Sequence, residues 1–169
     1  MGDVEQSTQA HASGEPGCPG AEQLALLHQW NDLHTGFRRI TQRLMDEVEA
    51  GSGLDAASFQ VLWYLTTAPD QTAPMNQLSA CLMFTTAGTT KVVDRLCRSG
   101  LLERRPHPTD RRVILTALTP AGRHKATDAC RVLADALRDK IVAPLGPDRF
   151  AATVDTLTSL AAQPLRARG

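Results

Sequence analysis

Residues 85–123 read TTAGTTKVVDRLCRSGLLERRPHPTDRRVILTALTPAGR, and this stretch decides the fold. Thr85 is a good helix N-cap, Val93 and Leu96 are suited to an inward face, and Gly100 is suited to the position just past a helix end. After the glycine, LLERR and VILTAL are β-prone segments joined by the turn-rich PHPTDRR. The stretch therefore predicts a helix followed by a β-hairpin wing.

Apolar residues at spacings of three and four predict five more helices around this stretch. The first covers residues 21–50, the second begins at a cap on Asp55, and a short third begins near Pro74. A fifth helix follows Thr119 by the cap-then-proline rule, and residues 154–160 mark a sixth. A short helix, a link and a second helix form a helix-turn-helix outline. The fold class that we predict is mainly α with a small β-hairpin wing, a winged helix-turn-helix with six helices.

The chain has 169 residues, which is enough for one ordinary core. Residues 1–20 are rich in Gly, Pro, Ser and Gln and predict a disordered N-terminal tail. The predicted domain covers residues 21–163, and within it residues 54–118 form the winged helix-turn-helix lobe. Residues 21–50 and 120–163 supply the flanking helices.

Several function classes are disfavoured by composition. No apolar run approaches the roughly 20 residues that cross a bilayer, and no signal region is present, so we expect a cytoplasmic protein without a membrane partner. The four cysteines are scattered, and neither they nor the histidines have metal-ligand spacing, which predicts no metal and no cofactor. A competing reading, a cysteine or metal-dependent hydrolase, lacks a nucleophile motif and a phosphate-binding glycine loop. We therefore expect no enzyme and no catalytic residues.

The formal net charge of zero conceals a segregation of charge along the chain. Residues 1–22 contain four acidic and no basic side chains, whereas residues 85–125 contain nine Lys or Arg against three acidic residues, a local charge of +6. A basic region of this size attracts a polyanion whatever the rest of the molecule sums to. The alternative is an ordinary solvated helix face.

The candidate DNA contacts lie at the start of the fourth helix and on the wing. Free amides and short hydroxyl side chains at a helix N-terminus suit phosphate and base edges, and an arginine on a stiff hairpin suits a narrow minor groove. A carboxylate two residues before Arg112 has the spacing to pair with its guanidinium, and Arg95 is expected to bind phosphate. The candidates are Thr85, Thr86, Ala87, Thr89, Thr90, Lys91, Arg95, Arg105, Asp110, Arg111 and Arg112.

Taken together, these motifs resemble the signature of MarR-type winged helix-turn-helix transcription regulators. The likeness is carried by QLS in the third helix, TKVVDRL, GLLERR, the D-x-R of Asp110 and Arg112, and LTPAGR. It implies a homodimer formed through residues 21–50 and 120–163, an inverted-repeat double-stranded DNA operator, and Arg112 in the minor groove. It also implies that Thr86, Ala87, Thr90 and Lys91 face the major groove.

The resemblance further implies a repressor released by a small, commonly phenolic ligand or by cysteine oxidation. Trp30, His34 and Phe37 share one face of the first helix and Trp63 lies on the second, so an aromatic-lined ligand site is one hypothesis and ordinary core packing is the other. Cys97, near two arginines, is the redox candidate. A winged-helix module that binds protein and has lost DNA binding is a further alternative.

Overall fold

The structure, a computed structural model, describes residues 20–82, 85–110 and 112–162. The predicted tail, apart from Gly20, and the candidate DNA contact Arg111 lie outside the described residues, as does the side chain of Cys81. The chain divides into two compact units, one up to Arg39 and one from Ile40 onward.

Six helices of eight residues or more occur in the described ranges, which confirms the predicted number. They are α1 (Ala21–Ser52), α2 (Ala56–Thr67), α3 (Met75–Leu82), α4 (Thr86–Arg98), α5 (Pro120–Leu137) and α6 (Pro147–Ala162). After α5 the helix widens into a π-helical segment, Arg138–Val142, and finishes with a short turn, Ala143–Leu145. Gly146 separates that turn from α6 with a φ of 87°, a left-handed conformation that favours glycine.

Three short strands form an antiparallel sheet in the order β1-β3-β2. They are β1 (Thr72–Pro74), β2 (Leu102–Pro106) and β3 (Ile114–Leu118). Strands β2 and β3 are the predicted hairpin, in a register that places Arg104 opposite Thr116. Strand β1 was not predicted, and Pro74, expected in the first turn of the third helix, is instead its last residue. Because proline has no N–H to donate, it is tolerated in such an edge strand.

The predicted caps are present at three helix starts. The Asp55 carboxylate accepts a hydrogen bond from the Ser58 backbone N–H at 3.0 Å, and the Thr85 hydroxyl accepts one from Gly88 N–H at 3.1 Å. Thr119 accepts from Gly122 N–H at 3.0 Å. Each bond satisfies an amide that the helix itself leaves unpaired.

The core of the second unit is formed where α2, α3, α4 and α5 pack beside the sheet. Its largest fully buried side chains include Phe59, Leu62, Leu65, Leu78 and Leu118. Val93 and Leu96 of α4 are buried among them, as the helical spacing predicts. This packing fixes one face of α4 and leaves its opposite face in solvent.

Candidate nucleic-acid interface

The start of α4 presents an open, mostly polar surface. Thr85, Thr86, Ala87 and Lys91 are exposed, and Thr90 is partly buried. The Thr90 hydroxyl donates to the Thr86 carbonyl at 2.9 Å, which leaves its oxygen lone pairs as acceptors. The surface has the partial positive charge of a helix N-terminus and one lysine, and it suits an anionic ligand.

Thr89 does not belong to this surface, which corrects its inclusion among the candidate contacts. Its side chain is fully buried, and its hydroxyl donates to the Thr85 carbonyl at 3.1 Å. Thr89 is four residues before Val93 and seven before Leu96, so the helical period places it on the inward face. The intrahelical hydrogen bond allows a polar side chain to occupy that place in the core.

The wing tip is held by hydrogen bonds within its own turn. The Nδ1 atom of His107 accepts from the backbone N–H groups of Thr109 and Asp110, each at 3.3 Å. The Val113 N–H donates to the Asp110 carbonyl at 3.0 Å, and the His107 N–H donates to the Val113 carbonyl at 2.9 Å. These bonds constrain the backbone that carries Arg112. Neither the role of His107 nor that of Val113 was predicted from the sequence.

The Asp110 carboxylate binds the backbone of Arg112 rather than its guanidinium group. The carboxylate accepts a hydrogen bond from the Arg112 backbone N–H at 3.0 Å, whereas the sequence predicted a pair with the guanidinium. Among the described residues the ion pairs do not include Asp110 with Arg112. An aspartate readily bonds the amide two residues on, as in an Asx turn. The Arg112 side chain is exposed and extends from a backbone fixed by this bond.

Two arginines of strand β2 are paired with carboxylates. Arg104 on β2 binds Asp94 on α4 at 2.5 Å, and this pair joins the wing to α4. Arg105 binds Glu103 on the same strand. Both pairs are exposed, so each adds little to stability, but the Arg104 pair connects two elements that carry candidate contacts.

Arg95 is engaged with α2, which differs from the phosphate contact that we expected. Its Nη2 atom lies 2.6 Å from Asp55 Oδ2 and 2.8 Å from Ser58 Oγ. The two acceptors lie 40 and 37 residues before Arg95 in the chain. Sequence reasoning could not find this contact, because it depends on how two helices pack.

The environment of Cys97 does not favour a reactive thiol. Burial raises the pKa of the Cys97 thiol above its usual value, Arg104 opposes that rise, and Asp94 adds to it. Burial also raises the pKa of Cys130. Oxidation switches require a low thiol pKa, and these shifts have the opposite direction.

The aromatic candidates are exposed to solvent in the single chain. This exposure does not fit the hypothesis that they are ordinary core residues. Trp30 and Phe37 are 65% and 62% exposed, and His34 is also exposed. These three residues lie in the first unit, and Trp63 lies in the second. Trp63 is 47% exposed, with its ring centroid 5.6 Å from that of Phe59. A common site for the four residues stays a prediction.

The described part of the second unit includes two cavities of different character. One, of about 260 Å³, is lined by Gln60, Trp63, Tyr64 and Thr67. The other, of about 550 Å³, is lined by Ile40, Arg43, Leu44, Lys140 and Ile141. The second was not predicted, because its basic and apolar side chains come from segments almost 100 residues apart.

Within the described ranges, no helix has the length and apolar character that a bilayer crossing requires. The same ranges contain no group of three or more His, Cys, Asp or Glu side chains placed to hold a metal ion.

Comparison with known proteins agrees with the arrangement of α3, α4 and the wing. A family profile described as the MarR family matches residues 52–113, from the end of α1 through the wing tip.

Residues 52–113 are thus similar to the MarR family.

Two curated relatives from Bacillus subtilis (strain 168) match part of this chain. The HTH-type transcriptional repressor YetL is 34% identical over 80 residues, 47% of this chain and 48% of the relative. The HTH-type transcriptional regulator MhqR is 32% identical over 90 residues, 53% of this chain and 60% of the relative. The chain therefore matches about half the length of these relatives. Both relatives are named as transcriptional regulators, in agreement with the prediction that this chain is not an enzyme.

A solved structure extends the likeness to the whole fold. The MarR family transcriptional regulator Sco3205 from Streptomyces coelicolor, in complex with DNA, superimposes with a TM-score of 0.70 at 20% identity. The match covers 91% of this chain and 96% of that one. It confirms the mainly α winged helix-turn-helix fold.

Proposed function

We propose that this chain is a MarR-family, sequence-specific, DNA-binding transcription regulator that acts in the cytoplasm. The observation that carries the proposal is the exposed start of α4, with Lys91 and three threonines, beside a wing whose exposed Arg112 extends from a hydrogen-bonded turn. In this proposal α4 reads the major groove and Arg112 enters the adjacent minor groove. Arg105 and Asp110 are exposed on the same wing, and Arg111 stays a candidate from the sequence alone.

The proposed regulator is a homodimer that binds an inverted repeat. Val154, Leu157 and Leu160 of α6 are 42%, 42% and 60% exposed. In the first unit, Leu26 and Trp30 are among the exposed apolar side chains of α1. Exposed apolar side chains of this kind mark an interaction site on each unit, and a two-fold dimer would bury them on both subunits. Such a dimer presents two reading helices related by symmetry, which matches an operator with two half-sites.

We further propose that the protein is a repressor and that a small aromatic or phenolic ligand releases it from the operator. The cavity beside Trp63 and Tyr64 has an apolar wall and the amide of Gln60, which suits a planar ligand with one polar group. Trp30, His34 and Phe37 are the candidates on α1. YetL is named a repressor, which favours repression over activation here.

The alternatives have weaker support. A thiol-based regulator of the same fold requires an acidic thiol, whereas burial raises the pKa of both Cys97 and Cys130. A winged-helix module that binds only protein would have no need for the exposed lysine and arginine on the two DNA-reading elements.

The test is binding to duplex DNA selected from a random library, followed by fluorescence anisotropy at several salt concentrations. Arg112→Ala is expected to weaken binding and to lower the slope of log K against log salt by about 0.9, the value for one lost phosphate charge. Lys91→Ala is expected to cost about 1–3 kcal/mol of discrimination at one base pair. Arg131→Ala removes an exposed arginine that pairs with Asp128 within α5, and it should bind as the wild type does.

Failure of the wild type to select any sequence would reject the proposed function. If Arg112→Ala bound with unchanged affinity and slope, Arg112 would not be part of the interface. A uniform loss of affinity across sequences in Lys91→Ala would make Lys91 a phosphate contact rather than a base contact.

A further inference from the structure

We infer that Arg95 is a positioning residue that sets the orientation of α4, the recognition helix of the proposed function, by clamping it to the capped start of α2. The clamp consists of Asp55, Ser58 and Arg95. This inference rests on the proposed DNA-binding function and adds a way in which the rest of the lobe controls that site.

The Asp55 carboxylate performs two tasks at once. Its Oδ1 atom accepts the Ser58 backbone N–H at 3.0 Å and thereby caps α2. Its Oδ2 atom accepts from Arg95 Nη2 at 2.6 Å and from Ser58 Oγ at 3.2 Å. Since Arg95 Nη2 also donates to Ser58 Oγ at 2.8 Å, the three side chains form a closed set of hydrogen bonds. The first turn of α2 is therefore joined directly to the last turn of α4.

Helix α4 is also held by Asp94, the residue that precedes Arg95 in the chain. Asp94 binds Arg104 of β2 at 2.5 Å, while Arg95 binds α2. Adjacent residues on α4 thus connect it to two different elements. Fixing the direction of α4 in this way determines whether its exposed start and the wing fit the duplex together, and such preorganisation favours binding.

The charge of Arg95 is already matched by a carboxylate, so its main contribution is not attraction to phosphate. The Arg95 and Asp55 side chains are 51% and 42% exposed, and an ion pair that accessible adds little to folding stability. Substitutions in the clamp should therefore leave the protein folded and act on DNA affinity through geometry.

Asp55→Asn separates positioning from phosphate binding. Asparagine caps a helix as well as aspartate does, so the cap is retained while the charge that holds Arg95 is lost. The change also removes a negative charge, which by itself would strengthen DNA binding. If Arg95 is a positioning residue, Asp55→Asn weakens operator binding instead, by about two- to fivefold, the range that corresponds to an exposed ion pair.

The experiment measures operator affinity against salt for the wild type, Asp55→Asn, Arg95→Gln and the double variant. Positioning predicts that both single variants lose a similar factor, that the double variant loses no more than either, and that the salt slope stays at the wild-type value. Asp128→Asn and Arg131→Gln, which break an ion pair within α5, are the matched controls for the loss of each charge. Thermal unfolding is measured for every variant.

Binding by Asp55→Asn that equals or exceeds the wild type would overturn the inference, and so would unchanged affinity in Arg95→Gln. A slope lowered by about 0.9 in Arg95→Gln would make Arg95 a phosphate contact and would also overturn it. If Asp55→Asn unfolds early, the Arg95→Gln affinity and slope decide alone. These outcomes differ from failure of the proposed function, in which the wild type itself selects no operator.

Discussion

At the scale of single residues, steric space at one glycine determines whether α5 can begin where it does. A Cβ atom built on Gly122 would lie 1.9 Å from the Leu101 carbonyl oxygen and 2.9 Å from its carbonyl carbon. Both are backbone atoms, which cannot turn aside as a side chain can. The helix therefore approaches the turn after α4 at a distance that only glycine permits.

Gly122→Ala is expected to lower the free energy of unfolding by about 1–3 kcal/mol, the usual cost of overpacking. Alanine is ordinarily favoured over glycine in a helix by up to about 1 kcal/mol, so the sign of the change is diagnostic. Urea unfolding followed by circular dichroism measures it. An increase in stability would show that the turn moves away without cost.

At the scale of elements, Thr119 joins the end of α4, the start of the wing and the start of α5. The Thr119 hydroxyl caps α5 by accepting from Gly122, and it donates to the Gly100 carbonyl at 2.7 Å, with the Leu101 carbonyl at 3.2 Å. Gly100 ends α4 with a φ of 72°, and Leu101 precedes β2. The same hydroxyl thus fixes the end of α4, the entry to the wing and the start of α5.

Thr119→Ala removes the cap and leaves the Gly122 amide without its acceptor, so we expect a loss of about 0.5–2 kcal/mol of stability. Thr119→Ser keeps the hydroxyl and should remain close to the wild type. Chemical denaturation of the two variants side by side provides the measurement. Equal stability of the alanine and serine variants would mean that the hydroxyl contributes nothing.

At the scale of the whole molecule, a dimer is expected to cover the apolar face of α6. Val154, Leu157 and Leu160 lie on one face of the helix, while Asp155 and Ser159 lie on the opposite face, and all are exposed. Burial of a leucine side chain contributes about 1.5–3 kcal/mol. In a two-fold dimer each residue appears twice, so a single substitution has a doubled effect.

Leu157→Asp should therefore weaken the dimer by at least about 3 kcal/mol, more than a hundredfold in the dissociation constant. Sedimentation equilibrium over a range of protein concentrations measures the change. Ser159→Asp adds the same charge to the opposite face of α6 and should leave the association unchanged. An unaltered dimer in Leu157→Asp would place the interface elsewhere.

The sequence by itself determined the order of the elements and the general character of the candidate site. Caps at Asp55, Thr85 and Thr119 and the glycine at position 100 act locally, so their residue types alone predict where helices begin and end. The wing turn and the basic segment are likewise contiguous in the chain. The family signature could be identified for the same reason, since its motifs are adjacent in sequence.

Tertiary structure decided what each side chain of that segment contacts. Thr89 and Thr86 have the same side chain, but the core buries the helix face of Thr89 alone. Arg95, unlike Lys91, lies within reach of the α2 cap. Strand β1 formed because β3 offered Thr72–Pro74 an edge to pair with. Such contacts join residues about 40 positions apart, and their geometry follows from packing angles that no local pattern of residues specifies.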